Sequence, residues 1–109
     1  MHPDHGLFIT AIERREVVEV AFSDDENRHS VSVRTCAPLD FGPSEPARFA
    51  PHLYHFWDYD ADPPASPQTI SLSSPRIISI QSLHDIFDPG DFVTWAAAWH
   101  YPRDWGAYS

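Results

Sequence analysis

The first hydrophobic residues of the chain recur three or four positions apart, which is the spacing of one face of a helix. The residues on this face are Phe8, Ala11, Ile12 and Arg15. We therefore predict a short helix that starts at Leu7 and closes one end of a core. After this helix the period changes to two, so the alternating segment from Val17 to Phe22 is predicted to be a strand.

Further alternating segments extend this pattern into a β-rich chain. Residues 31–36 alternate in the same way, which predicts an antiparallel hairpin with its turn over residues 23–27. Pro38 is expected to end or bend the second strand, and the segment 41–46, with its glycine and prolines, is expected to be a loop. Alternation around Ile70 and Ile78 predicts either one bent strand or two short ones, interrupted at Pro75.

The stretch from Ala47 to Asp62 concentrates aromatic residues together with two histidines and three aspartates. We predict a central strand over residues 53–58, with bulky groups on both of its faces. One face would carry Leu53, His55, Trp57 and Tyr59, and the other would carry Tyr54, Phe56 and Asp58. Only one of these two faces can be the core.

Start signals predict a helix near the end of the chain. Asp88 can cap such a helix, Pro89 suits its first position, and Asp91 lies in its first turn. The residues predicted for its apolar face are Phe92, Trp95 and Trp99. Pro102 would end it, so residues 89–109 are predicted to form an aromatic C-terminal helix and tail.

Length and charge limit the classes of function. The 109 residues suit a single domain over residues 1–109. Sixteen acidic residues against seven basic ones give a net charge of −9, which disfavours generic nucleic-acid binding. The sequence contains neither an apolar stretch of about 18 residues nor a signal-peptide pattern, and Cys36 has no partner for a disulfide. We expect a cytoplasmic protein without a membrane association. The sequence does not predict its oligomeric state.

Taken in chain order, the predicted helix, hairpin, aromatic strand and later strands resemble the WYL domain, a small SH3-like or Sm-like barrel of bacterial regulators. The segment AIERREVVEV at residues 11–20 is similar to the family's opening helix and first strand. RTCAP at residues 34–38 is similar to the R-T-x-x-P that ends its second strand. Residues 53–55 take the place of the W-Y-L tripeptide, and Arg76 with Ile77 takes the place of a later Arg-Ile, while Ser71 replaces a family arginine.

The resemblance implies a mainly β fold with flanking helices. Residues 7–88 would form a small antiparallel SH3/Sm-like barrel, preceded by a short helix and followed by the aromatic helix. It also implies a regulatory, ligand-sensing module of a bacterial cell and not an enzyme. Because family members use aromatic and basic positions, an anionic small ligand is one expected partner.

Two arginines on predicted core strands suggest where such a ligand would bind. Arg34 and Arg76 are expected either to pair with some of the sixteen carboxylates or to form a positive pocket. In the second case Tyr54 and Trp57 would lie beside them, and the guanidinium groups would grip a carboxylate or phosphate.

The tail supports an alternative hypothesis. Its candidate residues are Trp95, Trp99, Arg103 and Trp105. Packed on the sheet, these residues complete a small core. Exposed, they form a partner-binding surface, because tryptophan and arginine are enriched at binding hot spots. The chain would then be a protein–protein adaptor or a small subunit of a larger complex.

Catalytic and metal chemistry receive little support. His52 and His55 would point to opposite faces of a strand, so they do not predict a shared metal ion. The alternating aspartates at 58–62 lack the glycine and glutamate that a calcium loop needs. Cys36 lies in no catalytic signature and is expected to be a small buried residue. We therefore predict no catalytic residue, metal or cofactor, and a metal-dependent hydrolase is the least favoured reading.

Overall fold

The structure is a computed structural model that describes residues 1–24, 30–44 and 49–109. Within these residues the fold consists of one α-helix and one antiparallel sheet. The regular elements are α1 (His5–Arg14), β1 (Glu16–Ser23), β2 (Val31–Gly42), β3 (Leu53–Asp58), β4 (Thr69–Leu72) and β5 (Ile77–Ile86). The strand order is β4-β3-β2-β1-β5, so β4 and β5 are the two edges. The predicted mainly β fold with an N-terminal helix is confirmed.

Helix α1 covers one face of the sheet. Its buried residues are Phe8, Ala11 and Ile12, as the helical spacing predicted. The Phe8 ring packs edge-on against Tyr54 and Phe56, with centroid distances of 5.0 and 5.2 Å. The helix ends because Arg15 adopts a left-handed conformation at φ 57°, and the chain turns directly into β1.

Strand β2 is longer than predicted and carries a bend. It pairs with β1 only as far as Cys36, so no hydrogen bond to β1 is lost because Pro38 has no N–H group. A register shift between Pro38 and Asp40 then lets β2 continue along β3 to Gly42. The prediction of a loop was therefore wrong for residues 41–42, while residues 25–27 of the predicted turn and residues 45–46 of the loop lie outside the described part of the chain.

Strand β3 has the two faces that its sequence predicted. Tyr54, Phe56 and Asp58 are buried and face α1, whereas His55 and Trp57 lie on the opposite face and are half-buried. The core is therefore on the Tyr54 side. The apolar segments that follow form two separate strands and not one bent strand, because the single turn Ser74–Arg76 lies between them, but only β4 is short, since β5 has 10 residues.

The prediction of a C-terminal helix was wrong. Asp88 does accept a hydrogen bond from the Gly90 N–H, but only the single 3₁₀ turn Pro89–Asp91 follows. Beyond it, contacts with the sheet override helix propensity. Phe92 stacks on Trp57 at 5.2 Å, and the N–H of His100 donates to Asp40 instead of to a helical carbonyl. In the part of the chain that the structure describes, no helix is long and apolar enough to cross a membrane.

Candidate binding pocket

The chain after β5 folds back over the face of the sheet opposite α1. Phe92 covers Trp57 on this face with nearly parallel rings, 16° apart. Further along, Trp105 is buried, and its indole Nε1 donates to the carbonyl of Ile12 at the end of α1, 2.8 Å away. The tail therefore forms a second layer that is held by both the sheet and the helix.

One carboxylate anchors this tail. Asp40 is buried on β2, where Oδ1 accepts hydrogen bonds from the N–H groups of Phe41 (3.0 Å) and Tyr101 (2.9 Å) and from Nη2 of Arg103 (3.1 Å). Its Oδ2 accepts from the N–H of His100 at 2.8 Å. Because each donor binds a charged acceptor in a dry environment, these bonds are stronger than ordinary ones.

Arg103 is the buried cation that matches this carboxylate. Its side chain is 0% exposed, and its guanidinium lies 4.2 Å from the ring centroid of Trp99 and 4.4 Å from that of Trp105. Its N–H groups also donate to the carbonyls of Leu39 and Tyr101. Burial lowers the pKa of Arg103 to about 10, although Asp40 opposes this shift, so the group is still charged at neutral pH.

A pocket of about 410 Å³ lies between the anchored tail and strands β2, β3 and β4. It is lined by Leu39, Asp40, Pro43, Ser44, His55, Ser71, Trp95, Ala98, Trp99 and His100. Trp95 is 43% exposed and meets Trp99 edge-on at 6.2 Å. The volume falls in the range of small-ligand sites, and the mixture of apolar walls with a few polar groups is typical of them.

The imidazole of His55 has a fixed orientation in this pocket. Its Nε2 lies 2.8 Å from the carbonyl of Gly42 and its Nδ1 lies 2.7 Å from the hydroxyl of Ser71. Because a carbonyl can only accept, Nε2 carries a proton and donates to Gly42, while Nδ1 shares a hydrogen bond with the Ser71 hydroxyl. The ring therefore bridges β2 and β4 and orders the floor of the pocket.

Gly42 allows the tail to approach β2 closely. A Cβ atom at this position would lie 2.5 Å from Cδ2 of His100. Only glycine leaves room for the imidazole there, so the residue that ends β2 also sets the position of the tail.

The two arginines predicted for an anionic ligand lie in separate hydrogen-bonded positions. Nη1 of Arg34 donates to the carbonyl of Asp60 at 3.0 Å and lies 3.9 Å from Oδ2 of Asp58. Nε of Arg76 donates to the carbonyl of Ser23 at 3.0 Å. Each guanidinium therefore fixes a neighbouring segment of backbone.

The two aromatic residues predicted for the same pocket lie on opposite faces of β3. Tyr54 is fully buried under α1, and its hydroxyl contacts the N–H of His2 (3.2 Å) and Nδ1 of His5 (2.9 Å). Trp57 lies under Phe92 on the other face. The structure thus does not bring Arg34, Tyr54, Trp57 and Arg76 together.

The four tail residues predicted for partner binding divide into two pairs. Trp95 and Trp99 line the pocket, whereas Arg103 and Trp105 are buried behind it and support its wall. Sequence reasoning did not single out Asp40 or His100. The available signal was an aspartate between Leu39 and Phe41, since a charge among apolar neighbours often marks a buried pair.

The remaining chemical candidates have structural positions. Cys36 is buried, as predicted, and burial together with nearby Asp58 and Asp60 raises the pKa of its thiol far above the ordinary range. Within residues 1–24, 30–44 and 49–109, no three histidine, cysteine or acidic side chains are grouped as metal ligands. No family model, curated protein or solved structure matches the chain.

Proposed function

We propose that the protein is a non-enzymatic regulatory or interaction module, which binds a small ligand or a partner's side chain in the pocket between the tail and strands β2–β4. The observation that carries this proposal is the pairing of an open tryptophan pocket with a buried ion pair that holds its wall. Burying Asp40 and Arg103 is costly, and apolar residues would pack the tail at lower cost. The ion pair can offset this cost by a role in binding, because it holds Trp99 and His100 in fixed positions in the wall of the pocket.

The exposure of Trp95 supports a binding role. A large aromatic side chain that is 43% exposed at the mouth of a cavity loses little conformational entropy when it is covered. Trp99 is already ordered, because its indole N–H donates to the carbonyl of Tyr108 at 2.7 Å. An ordered Trp99 beside an exposed Trp95 favours ligand binding, since less conformational order has to be gained when the ligand binds.

The WYL-like barrel belongs to the same proposal. Strands β4 and β5 are opposite edges of the sheet, yet only Ser73 and the turn Ser74–Arg76 separate them. The end of β4 is therefore close to the start of β5 at this corner. Nearby, His2 links β5 to β3, with Nε2 2.9 Å from the carbonyl of Ile77 and its N–H donating to the Tyr54 hydroxyl. This short connection between the two edge strands supports an SH3/Sm-like barrel and, with the sequence resemblance, a regulator of the bacterial cytoplasm.

The pocket favours a different ligand class from the one predicted at Arg34 and Arg76. Among the residues that the structure describes, its lining contains two indoles and two imidazoles but neither arginine nor lysine. These residues offer an anionic ligand no permanent positive charge. The adaptor hypothesis uses the same tryptophans, so a partner's side chain is as suitable an occupant as a free small molecule.

A thermal-shift comparison tests the proposal. The full chain is heated with ATP, AMP, L-glutamate, L-arginine, choline and manganese, beside the variant Trp95→Ala and the control Phe49→Ala. Phe49 is an exposed aromatic residue outside the pocket lining. A ligand at ten times its Kd stabilises by about 1.4 kcal/mol, which raises the midpoint by roughly 5 °C.

The proposal expects one organic compound to stabilise the wild type and Phe49→Ala but not Trp95→Ala. Equal stabilisation of all three proteins would place the ligand elsewhere and contradict it. Stabilisation by manganese alone would instead support the metal-dependent hydrolase.

A further inference from the structure

We propose that the natural occupant is an extended basic segment of a partner protein, which adds a strand to the outer edge of β4 and places an arginine or lysine side chain in the pocket. This inference rests on the proposed function, because it takes the pocket as the binding site. It adds the partner's conformation, its charge and the strand that it contacts.

The register of β3 and β4 shows which backbone groups of β4 face outward. The N–H of Asp58 donates to the carbonyl of Gln68 at 2.7 Å, and the ladder continues through the pairs Phe56–Ile70 and Tyr54–Leu72. In an antiparallel ladder, hydrogen-bonded pairs alternate with pairs that are not bonded. Thr69 and Ser71 are therefore the residues whose N–H and C=O groups point away from β3.

This outer edge is available for pairing. β4 ends the sheet, and both Thr69 and Ser71 are exposed. Peptides commonly bind such edges, where main-chain hydrogen bonds give affinity and pockets for alternate side chains give specificity. Two outward residues offer up to four such hydrogen bonds.

The pocket lies where a side chain of the added strand would point. Residues directly opposite each other in neighbouring strands have their side chains on the same face of a sheet. Ser71 lines the pocket beside His55, its partner in the β3–β4 ladder. The partner residue opposite Ser71 would consequently project over the pocket, toward Trp95 and Trp99.

Charge selects a cation for this position. The chain has a net charge of −9, and the described residues of the lining include two indoles but neither arginine nor lysine, while the carboxylate of Asp40 is already paired with Arg103. Cations bind favourably over the face of tryptophan. The fold already holds one guanidinium in this way, since Arg103 lies 4.2 Å from the Trp99 ring centroid. Asp60 and Asp62, which are exposed in the segment between β3 and β4, add attraction for a basic strand.

A second copy of the chain fits this edge less well. Two chains of −9 repel each other. The other free edge, β5, is also partly occupied, because the Ile80 N–H donates to Oδ2 of Asp4 at 3.0 Å. A separate basic partner is therefore the occupant that the charges favour.

Selection from a random heptapeptide display library on the intact protein tests the inference. We expect enriched peptides to share one arginine or lysine and to alternate in β-forming residues. Selected peptides should bind Trp95→Ala at least tenfold more weakly and Phe49→Ala equally well. Thr69→Pro removes an outward N–H without breaking the β3–β4 ladder, so it should also weaken binding at least tenfold while the thermal midpoint is retained.

Backbone N-methylation of the same peptides, at every second residue, tests strand pairing on the wild-type protein and needs no folded variant. We expect methylation in one of the two registers to abolish binding. Enriched peptides that are acidic or apolar but depend on Trp95 would overturn this inference and leave the pocket proposal standing. No enrichment at all would overturn this inference alone, because the thermal-shift comparison tests small ligands separately, whereas peptides that bind regardless of Trp95 would overturn both.

Discussion

Asp40→Asn is the most informative single substitution, because it preserves the shape of the side chain and removes its charge. The asparagine oxygen can replace Oδ1 and keep the hydrogen bonds from Phe41, Tyr101 and Arg103. Its NH₂ group then occupies the place of Oδ2 and faces the N–H of His100, so two donors meet. The guanidinium of Arg103 also loses its counter-charge in a fully buried position.

The expected loss is large relative to the stability of a small domain. Removing one partner of a buried pair costs about 3–5 kcal/mol. Natural domains are stable by only about 5–15 kcal/mol, so the variant should be marginal. With a urea slope of about 2 kcal/mol per molar, a loss of 4 kcal/mol lowers the unfolding midpoint by about 2 M.

Urea unfolding followed by tryptophan fluorescence measures this loss. Asp85→Asn is the matched control, because Asp85 is exposed on β5 and its substitution should change stability by less than about 0.5 kcal/mol. A double-mutant cycle with Arg103→Met separates the ion pair from the other bonds. We expect a coupling energy of about 1–3 kcal/mol.

A loss below about 1 kcal/mol for Asp40→Asn would contradict an anchoring role of the ion pair. An equal cost of this substitution with and without Arg103 would contradict it as well, since the carboxylate would then act through the backbone N–H groups alone.

Three further predictions concern other parts of the fold. Gly42→Ala should destabilise the protein by about 1–3 kcal/mol in urea, because its Cβ would meet Cδ2, Cγ and Cβ of His100, and the same substitution should cost much less in a His100→Gly background, which lacks all three atoms. The thiol of Cys36 should resist a disulfide reagent in the native state and react fully in urea, because burial raises its pKa; rapid native labelling would contradict this. Burial lowers the pKa of His5 from its ordinary value of 6.5, so the fold favours the neutral ring. This contribution to stability is present above pH 6.5 and is lost as the pH falls through the lowered folded value, and His5→Gln should flatten that part of the pH–stability curve.

Short-range patterns were sufficient to predict the N-terminal helix and most of the strands. Alternation in Leu53–Asp58 identified the two faces of β3, because a strand places successive side chains on opposite sides whatever surrounds it. The helical spacing of Phe8, Ala11 and Ile12 likewise reflects a single contact surface. These features depend on neighbours only a few residues away in the sequence.

The tail could not be predicted in this way. The spacing of Phe92, Trp95 and Trp99 suits a helix, but each ring packs against a different partner in the folded chain. Three of the four donors to Asp40 come from residues 60 to 63 positions later in the sequence, so no local pattern identifies them. The candidate site is built from these distant contacts, and only its two tryptophans were recognised in advance.

The indole N–H signals of the four tryptophans provide the most direct test of the pocket. Each is assigned in a proton–nitrogen correlation spectrum by a Trp→Phe variant. The compound or peptide that binds in the experiments above is then titrated into the labelled full chain. Binding in the pocket predicts that the signals of Trp95 and Trp99 shift in proportion to occupancy, while those of Trp57 and Trp105 stay in place. Shifts confined to Trp57, or a saturated complex in which the Trp95 signal has not moved, would contradict the account.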